Sequence, residues 1–580
     1  MRNVLYVPLD DRPVNLDDTI KLGQASGLHL ITPDAADIRN RLDAVAEASG
    51  ETLLGTSSPT FGNSAKIRQF ILDNAAAVEG FIISIDMLAY GGLIGSRRLR
   101  TSGGGTYPNY DPTVTDLLDV IRHIKRSYPS KPVYVLDTIM RLATTTFTEG
   151  LTSDAYNESR SFMRQPRQTY TAFEDILNGY NTSADNTQYG DTVYFDKMLY
   201  YNTRQHKFKT NYYVLDQLTR LGCIDFLAVG VDDASTEGAQ INEIRFVESF
   251  INDSLGGSGG QNPDRAIILP DADGLGHSLV ARMANQLHRG GRKTRISVNY
   301  YGPDGSTIIN PYEYMNVHQN ILRHIDIAGG EYATCAPDIE IVAITSADQV
   351  SGAVNRIEAN GTNRQATVAM DFTGGGAANI TVTEALLDSR YTGGLLGYSA
   401  WNTAGNLMGI SLSMGQARYA FLVTEKRAQE LDKAVNAHGS LLFKRFLKDY
   451  YYKRVAIADV RSYSRNPEHI RYVNLPPNSA DQNMLLFNKE EDYIELQALL
   501  RDLMQSHLAT LAARRAFQIG SCAAACLVKQ ICGCSWTFAE YSRVSLAYDN
   551  PDYIWGRAFE VTLSPAVTLH SKPKFIALSR

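Results

Sequence analysis

The feature that most constrains the fold of this chain is a short apolar run that ends in acidic, glycine-rich or aromatic residues and recurs along the sequence. Parallel strands that are buried on both faces have this appearance, because apolar residues follow one another without alternation. Amphipathic stretches separate the runs, and this alternation predicts a mostly parallel sheet. The predicted strands end near Asp10, Thr32, Asp86, Asp137, Val231, Leu269, Tyr300, Ile344, Asp371 and Tyr398.

Acidic residues stand at or just after several of these strand ends. In α/β folds the carboxyl ends of parallel strands lie on one side of the sheet and carry the active site. A single run that ends in aspartate has little meaning. The repetition predicts that several carboxylates meet around one polar cavity.

The length of 580 residues exceeds one ordinary hydrophobic core and predicts about two or three domains. We assign residues 1–410 to an α/β catalytic domain with a parallel, barrel-like (TIM-type) sheet. An open, doubly wound sheet followed by a second α/β unit explains the pattern nearly as well. Residues 411–535 have apolar positions at helical spacing and are predicted to form a helical domain. Residues 536–580 are predicted to form a small β-rich segment.

Residues 150–220 form a long insertion between two predicted strands and are rich in tyrosine, asparagine, arginine and glutamine. Because the insertion leaves from the carboxyl end of a strand, it is predicted to lie over the cavity as a lid-like segment. A solvated helical hairpin accounts for its composition equally well.

The overall charge and hydropathy limit the partners of the chain. A formal charge of −6 and a pI near 6.0 argue against nucleic-acid binding, which usually requires a basic face. No run approaches the roughly 18 apolar residues of a membrane span, so no membrane contact is predicted. Met1 leads almost directly into the first predicted strand without a signal peptide, and we expect a cytoplasmic location. The oligomeric state is left open.

Four of the six cysteines lie close together near the C-terminal end, which raises the question of a metal site. Zinc sites usually pair cysteines about two to four residues apart with glycine-rich turns. Apolar residues flank these cysteines, so buried thiols on a helix are the favoured interpretation, and disulfides are not expected in a reducing compartment. The four cysteines are Cys522, Cys526, Cys532 and Cys534.

The adjacent residues Asp232 and Asp233, directly after the strand that ends at Val231, are the sharpest candidates for catalysis. Two neighbouring carboxyl groups raise the pKa of one of them, which then stays protonated near neutral pH. Glycoside hydrolysis needs such a proton donor beside a charged partner. The alternative is structural: the pair caps the following helix and faces its dipole.

A second candidate follows the last predicted strand, where Tyr398, Trp401 and Asn402 lie close together in the sequence. A sugar ring stacks its apolar C–H face on an indole, while amides form hydrogen bonds with its hydroxyl groups. These three residues are predicted to bind a sugar. A core tryptophan followed by a turn is the alternative.

The charged residues after the first strand form a third candidate. Arg12 is suited to bind a carboxylate or phosphate through two parallel hydrogen bonds. Asp10 and Asp11 either contact the substrate beside it or neutralise its charge. The remaining predicted substrate-binding residues are Asp86, Asp137 and Arg141.

A metal-dependent site is the main competing hypothesis. Asp271, Asp273 and His277 lie within seven residues of one another, and with Asp10 they offer ligands to Mg²⁺, Mn²⁺ or Zn²⁺. An Asp-Gly turn that caps a helix is the favoured interpretation of these residues. No metal ligand and no cofactor are therefore assigned.

Three segments, Tyr6–Asn15, Gly230–Asp233 and Trp401–Asn406, carry a resemblance to a known family. Together they resemble a bacterial family known only as a large domain of unknown function, which spans nearly the whole chain and implies no activity. The Asp-Asp pair and the late Trp-Asn pair are also similar to motifs of barrel hexosaminidases that use substrate assistance.

The favoured hypothesis is a glycoside hydrolase that acts on sugars containing N-acetylhexosamine and retains their configuration. In substrate-assisted hydrolysis the acetamido oxygen is the nucleophile. Asp232 would orient the acetamido group, and Asp233 would act first as general acid and then as general base. The alternatives are a metal-dependent hydrolase of phosphate esters and a carbohydrate-binding protein without turnover. The expected partner is a small molecule or an oligosaccharide.

Overall fold

The computed structural model of the protein describes residues 1–40, 59–105, 110–146, 148–149, 151, 153–466, 468, 490–523, 535–555 and 557–575. Within these ranges the chain forms two parallel sheets, one after the other, then a helical region and short antiparallel strands. The prediction of a mixed α/β protein with parallel sheets is confirmed.

A seven-stranded sheet is built from the N-terminal half of the chain. Its strands are β1 (Arg2–Val7), β2 (Leu28–Ile31), β3 (Gly80–Ser84), β4 (Val133–Ile139), β5 (Phe226–Val231), β6 (Gln261–Asn262) and β7 (Ala266–Leu269). Their spatial order is β2-β1-β3-β4-β5-β7-β6, and every pairing is parallel except that of β6 with β7. Strands β3, β4, β5 and β7 are buried along their whole length, which explains their uninterrupted apolar sequence.

A five-stranded sheet follows. Its strands are β8 (Thr294–Tyr301), β9 (Gly330–Tyr332), β10 (Ile339–Ile344), β11 (Ala366–Asp371) and β12 (Gly397–Ser399). Their spatial order is β12-β11-β10-β8-β9, with all pairings parallel. In both sheets the first strand of the sequence lies between the second and the third. In open sheets of this kind, ligands bind outside the carboxyl ends of the strands, near the point where the winding reverses.

The barrel-like (TIM-type) sheet predicted for residues 1–410 is not confirmed. A barrel requires its first and last strands to pair, whereas the described strands form two open sheets, with β2 and β6 at the edges of the first. The topology agrees with the alternative of two successive α/β units. Apolar runs locate the strands, but they do not specify which strands become neighbours.

Short antiparallel strands lie near the C-terminal end. They are β13 (Cys522–Ala523), β14 (Ser535–Ser545), β15 (Asp552–Ile554), β16 (Arg557–Thr562) and β17 (Ala566–Phe575). Strands β13, β14 and β17 form one small sheet, and β15 pairs with β16 in a hairpin. A β segment at this end agrees with the prediction. Of the cysteine cluster, Cys526, Cys532, Cys534 and the side chain of Cys522 lie outside the described residues.

Helices connect the strands and fill the segment from about residue 404 to residue 512. They are α1 (Asp17–Ala25), α2 (Ala35–Ile38), α3 (Ser64–Asn74), α4 (Ile85–Tyr90), α5 (Leu93–Ser96), α6 (Pro112–Ser127), α7 (Ser153–Met163), α8 (Phe173–Asn178), α9 (Lys197–Tyr213), α10 (Ile241–Leu255), α11 (Leu275–Arg289), α12 (Val317–Ile327), α13 (Val350–Asn363), α14 (Ile380–Asp388), α15 (Ala404–Leu422), α16 (Ala428–Phe446), α17 (Ile457–Arg465) and α18 (Glu490–Ala512). A π-helical segment, Val214–Thr219, extends α9, and another, Leu447–Ala456, joins α16 to α17.

Side-chain caps define the starts of several helices that the sequence predicts. The side-chain oxygen of Asn63 accepts a hydrogen bond from the backbone of α3, Asp111 does so for α6, and Asn316 does so for α12. Each cap satisfies a backbone N–H group that has no partner inside the helix.

The two sheets are joined through α11 and α15, which pack against each other. Helix α15 is buried along its whole length, and its glycines allow the close approach. A Cβ atom at Gly409 would lie 2.8 Å from the Cα atom of Gly274, and one at Gly405 would lie 1.9 Å from the carbonyl oxygen of Pro270. Because real Cβ atoms do not tolerate such distances, these positions keep the ends of the two sheets close together.

Among the described residues, no helix combines the length and the apolar character needed to cross a lipid bilayer.

Candidate active site

A cavity of about 760 Å³ lies where the carboxyl ends of both sheets face each other. The loops after β1, β3, β4, β5 and β7 line it from the first sheet, and the loops after β8, β11 and β12 line it from the second. The π-helical segment Leu447–Ala456, helix α17 and the hairpin of β15 and β16 complete the wall. Five acidic residues that follow strand ends line this cavity, Asp232, Asp233, Asp271, Asp273 and Asp371, whereas Asp10, Asp86 and Asp137, which were expected to join them, do not.

Asp232 and Asp233 lie on this wall and have different electrostatic surroundings. The carboxylate of Asp232 forms an ion pair with the buried guanidinium of Arg97. Asp233 lies 3.5 Å from Arg141. Burial raises the pKa of Asp233, the neighbouring Asp232 raises it further, and Arg141 and Arg97 oppose the shift. Asp232 is thus paired with a buried guanidinium, while the pKa of Asp233 is raised by burial and by the neighbouring carboxylate.

The pair does not cap the helix that follows it. Helix α10 begins only at Ile241, and its N-cap residue is Gln240. The structural alternative considered for this pair is therefore absent from the described residues. Both carboxylates are directed to the cavity wall and its arginines instead.

Backbone strain is concentrated around the cavity. Eight non-glycine residues of the described chain have a positive φ, and four of these line the cavity. Residues other than glycine adopt this left-handed backbone conformation only at an energetic cost, and such residues cluster at binding and catalytic sites. The four residues are Asp233 (φ 42°), Tyr312 (φ 70°), Asn402 (φ 68°) and Trp555 (φ 57°).

Arg12 lies at the centre of a buried network on the adjoining part of the wall. Its Nε and Nη2 atoms donate to Asp10 Oδ2 at 2.9 and 2.8 Å, and Nη2 also donates to Asp273 Oδ1 at 2.5 Å. Asn15 donates to both of these carboxylates. Burial raises the pKa of Asp273 to about 6, and Asp10 adds to the rise while Arg12 opposes it. Arg12 neutralises its neighbours, but it also faces the cavity.

Asp11 is placed differently from Asp10. Its Oδ1 atom accepts a hydrogen bond from Trp555 Nε1 at 3.0 Å, and its Oδ2 atom accepts one from the backbone of Asn40 at 3.1 Å. Burial raises the pKa of Asp11 to about 7, and the charge of Asp10 contributes. Because Trp555 lines the cavity and Asp11 does not, Asp11 positions a wall residue.

The residues of the metal hypothesis are occupied by other partners. Asp10 and Asp273 are bridged by Arg12. The Nε2 atom of His277 lies 2.8 Å from the carbonyl oxygen of Val14. Asp271 accepts a hydrogen bond from the backbone of Gly274, the residue that precedes α11. No group of three or more His, Cys, Asp or Glu residues is placed to hold a metal ion in the part of the chain that the structure describes.

Asp86 and Asp137 lie away from the cavity lining, in the interior of the first sheet. Both are fully buried and share the ammonium group of Lys207, at 3.1 Å and 2.6 Å. Burial raises the pKa of Asp86, Lys207 opposes the rise, and Asp137 adds to it. Lys207 belongs to α9, within the insertion that was predicted to form a lid-like segment. The insertion contributes Tyr156 and other residues of α7 to the cavity wall, but α9 is mostly buried.

Of the predicted aromatic platform, only Asn402 lines the cavity. Tyr398 is buried and stacks on Phe446, with ring centroids 4.1 Å apart. Trp401 is buried with the ammonium group of Lys448 4.4 Å from its ring centre. The structure therefore gives these two rings core positions and leaves other aromatic rings, those of Tyr156, Tyr312, Phe372, Trp555 and Phe559, on the wall.

Several wall residues were not predicted from the sequence. Glu560 on β16 lines the cavity and accepts a hydrogen bond from Lys448 at 2.7 Å. Burial alone would raise the pKa of Glu560, but Lys448 and Arg12 outweigh this effect and lower it. Arg97 has a signal in the sequence, because two basic residues end the glycine-rich segment after β3. Glu560 has no such signal, since it comes from a hairpin more than 500 residues away from Arg12 in the sequence.

A family model described as "Protein of unknown function (DUF4127)" matches residues 4–564. The match spans nearly the whole chain, as the resemblance in the three sequence segments predicts. No curated protein matches the chain.

Proposed function

This chain belongs to the DUF4127 family of proteins of unknown function, and we propose that it is a glycoside hydrolase that acts on sugars containing N-acetylhexosamine. The observation that carries the proposal is the pair of adjacent carboxyl groups on the cavity wall. One of them is paired with a buried arginine, and the other has a raised pKa. Acid–base catalysis at a glycosidic bond requires a carboxyl group with a raised pKa beside a second carboxyl group.

In the proposed mechanism the substrate supplies its own nucleophile. Asp233 donates its proton to the glycosidic oxygen while the acetamido oxygen attacks the anomeric carbon, and the leaving group departs as an alcohol. Asp232 accepts a hydrogen bond from the acetamido N–H and stabilises the positive charge that develops there. Asp233, now a carboxylate, removes a proton from a water molecule that opens the cyclic intermediate. The configuration at the anomeric carbon is retained, because it is inverted twice.

The composition of the wall supports a sugar as the ligand. Tyr156, Tyr312 and Trp555 present ring faces or edges to the cavity, and Asn402 and Asn406 add amide groups. Aromatic rings bind the C–H face of a pyranose, and amides bind its hydroxyl groups. A cavity of about 760 Å³ falls within the range typical of small-molecule sites, about 300–1,000 Å³.

The proposal is tested with chromogenic aryl N-acetylhexosaminides and three proteins: the parent, Asp233→Asn, and Asp73→Asn as a matched control. Asp73 carries the same chemical group on the exposed face of α3 and accepts a hydrogen bond from Gln69. We expect the parent and Asp73→Asn to release chromophore at equal rates and Asp233→Asn to lose nearly all activity. Equal rates in all three proteins would remove Asp233 from the mechanism.

The same assay separates the two alternatives. Activity that disappears with a chelator and returns with a divalent ion would favour the metal-dependent hydrolase. Thermal stabilisation by a sugar, with no product after long incubation, would identify a binding protein without turnover.

A further inference from the structure

We propose that the sugar bound in this cavity carries an anionic group, a carboxylate or a phosphate, held by basic residues of the helical wall. The inference rests on the proposed function in taking the ligand to be a sugar. It concerns the wall opposite the first sheet, formed by the π-helical segment Leu447–Ala456 and α17.

The helical wall presents a row of basic residues. Lys453, Arg454 and Arg461 line the cavity together with Ile457. Lys453, Ile457 and Arg461 are four residues apart in the sequence, so that they follow one another along one side of the helix. The β15–β16 hairpin adds a further cation, Arg557, to the same cavity. Basic residues of this kind bind carboxylate and phosphate groups.

The acidic residues on this side of the cavity are satisfied by other groups. Asp371 accepts hydrogen bonds from the backbone and hydroxyl of Thr373 and from the backbone of Asn379. Glu560 is paired with Lys448, a cation outside the cavity lining. Neither carboxylate therefore pairs directly with Lys453 or Arg454.

Lys453 reflects the positive potential of this wall. Its Nζ atom donates to the carbonyl oxygen of Phe559 at 2.9 Å. Burial lowers the pKa of Lys453 to about 7, and the neighbouring cations Lys448 and Arg461 add to the fall, while Glu560 and Asp449 only partly oppose it. An anion that binds here would relieve this repulsion, which favours anionic over neutral ligands.

Arg454 is held in place by backbone oxygens. Its Nε atom donates to the carbonyl oxygen of Ala378 at 2.9 Å, and its Nη2 atom donates to that of Gly374 at 2.5 Å. These neutral acceptors fix the guanidinium without neutralising its charge. Preorganisation of this kind reduces the entropy that a side chain loses on binding.

The loop that holds Arg454 is itself open to a ligand. Gly375 and Gly376 line the cavity and have positive φ values of 63° and 102°. A Cβ atom at Gly375 would meet nothing within 4 Å. Because these two glycines have no side chains, a bulky anionic group is able to approach the backbone beside Arg454.

The experiment compares the affinities of three sugars by calorimetric titration: neutral N-acetylglucosamine, N-acetylmuramic acid with a carboxylate, and N-acetylglucosamine 6-phosphate. We expect at least one acidic sugar to bind the parent about tenfold or more tightly than the neutral one. The two acidic sugars distinguish carboxylate from phosphate as the recognised group. Equal affinities, or no binding of any of the three, would overturn the inference.

Two variants and a control locate the effect. Arg454→Gln is expected to remove most of the preference for the acidic sugar, and Arg454→Lys is expected to retain part of it. Arg427→Gln removes one positive charge from an exposed side chain paired with Glu425 and should leave the preference unchanged. If Arg454→Gln does not fold, Lys453→Met provides the same test at the neighbouring position. A preference for the acidic sugar that survives in both Arg454→Gln and Lys453→Met would contradict the assignment to this wall.

Failure of this inference is distinguishable from failure of the proposed function. Hydrolysis of neutral aryl N-acetylhexosaminides without any preference for acidic sugars would leave the glycosidase standing and remove the anionic subsite. Tight binding of an acidic sugar without hydrolysis of any aryl N-acetylhexosaminide would support the anionic subsite and contradict the glycosidase.

Discussion

Two pairs of aspartates at strand ends of the same sheet have opposite surroundings. Asp86 and Asp137 are sealed in the interior by the ammonium group of Lys207. Asp232 and Asp233 lie on a cavity wall beside two arginines that also line the cavity. An apolar run that ends in aspartate precedes both pairs, so the strand ends alone do not distinguish them.

The difference lies in the element that covers each pair. Helix α9 places Lys207 directly over Asp86 and Asp137, and burial alone would lower the pKa of Lys207. The two carboxylates outweigh that effect and raise it above its usual value. Asp233 instead lies 3.5 Å from Arg141 on the cavity wall, and its pKa is raised by burial and by Asp232. We therefore expect Asp86 and Asp137, which lie away from the cavity beside Lys207, to be structural, and Asp233, which lies on the cavity wall, to be available for chemistry.

The largest expected effect contrasts one substitution at two strand ends. Asp233→Asn should lower kcat/KM for an aryl N-acetylhexosaminide by between about 100- and 10,000-fold, the usual contribution of general acid–base catalysis, with little change in stability. Asp137→Asn should leave kcat/KM nearly unchanged and lower the free energy of unfolding by about 2 kcal/mol or more, because it weakens a charged hydrogen bond. Steady-state kinetics measure kcat/KM, and urea unfolding measures the free energy of unfolding. A loss of activity in an Asp137→Asn protein of unchanged stability would contradict the structural role of Asp137.

The next prediction concerns Lys207, the cation that pairs with Asp86 and Asp137. Lys207→Met leaves two buried carboxylates without their shared cation and should lower the free energy of unfolding by about 3–5 kcal/mol. Urea unfolding at pH 7 measures the loss, and part of the stability should return at pH 4, where the two carboxyl groups take up protons more readily. Lys66→Met, at an exposed ion pair with Asp37, is the matched control and should change stability by less than about 1 kcal/mol. A Lys207→Met protein as stable as the control would contradict a structural role for the pair.

A third pair of aspartates, Asp10 and Asp11, gives a prediction about how stability depends on pH. Asp10 is paired with Arg12, and the pKa of Asp11 is raised to about 7. A carboxyl group whose pKa is higher in the folded state stabilises the fold at pH values below about 4, and this contribution is lost as pH rises toward 7. Asp11→Asn cannot ionise, so its stability relative to the parent should increase by about 4 kcal/mol between pH 4 and pH 8. Urea unfolding of both proteins at the two pH values gives this difference, and a constant difference would show that Asp11 does not titrate as described.

The smallest expected effect is that of Asp86→Asn. Burial raises the pKa of Asp86, so its charged form is costly to bury, and an amide oxygen is able to accept the hydrogen bond of Thr138. We expect a change of about 1 kcal/mol in the free energy of unfolding and no change in kcat/KM. A severe loss of activity without loss of stability would instead place Asp86 in the mechanism.

The sequence is informative about the elements of this fold. The ten predicted strand ends all have a counterpart among β1 to β12, because buried parallel strands produce uninterrupted apolar runs. The convergence of acidic strand ends was predictable for the same reason. Asn402 and Arg12 also line the cavity, as residues at predicted strand ends would.

The sequence does not indicate which strands pair or which distant residues meet at the site. The division into two sheets depends on which strands pair, and apolar periodicity does not encode partners. Lys207 comes from an inserted helix, and Glu560 and Arg454 come from segments that follow both sheets, so no local pattern connects them with the strand ends. The glycines of α15 were a usable signal, because Gly405, Gly409 and Gly415 recur in an otherwise apolar helix and indicate close packing.

The most direct test of the role of Asp233 is the dependence of rate on the leaving group. A phenyl leaving group needs protonation as it departs, whereas a dinitrophenyl group does not. Parent and Asp233→Asn are compared by kcat/KM on both aryl N-acetylhexosaminides. Asp233 as the proton donor predicts a large loss on the phenyl substrate and a small one on the dinitrophenyl substrate. Equal losses on both substrates would contradict it.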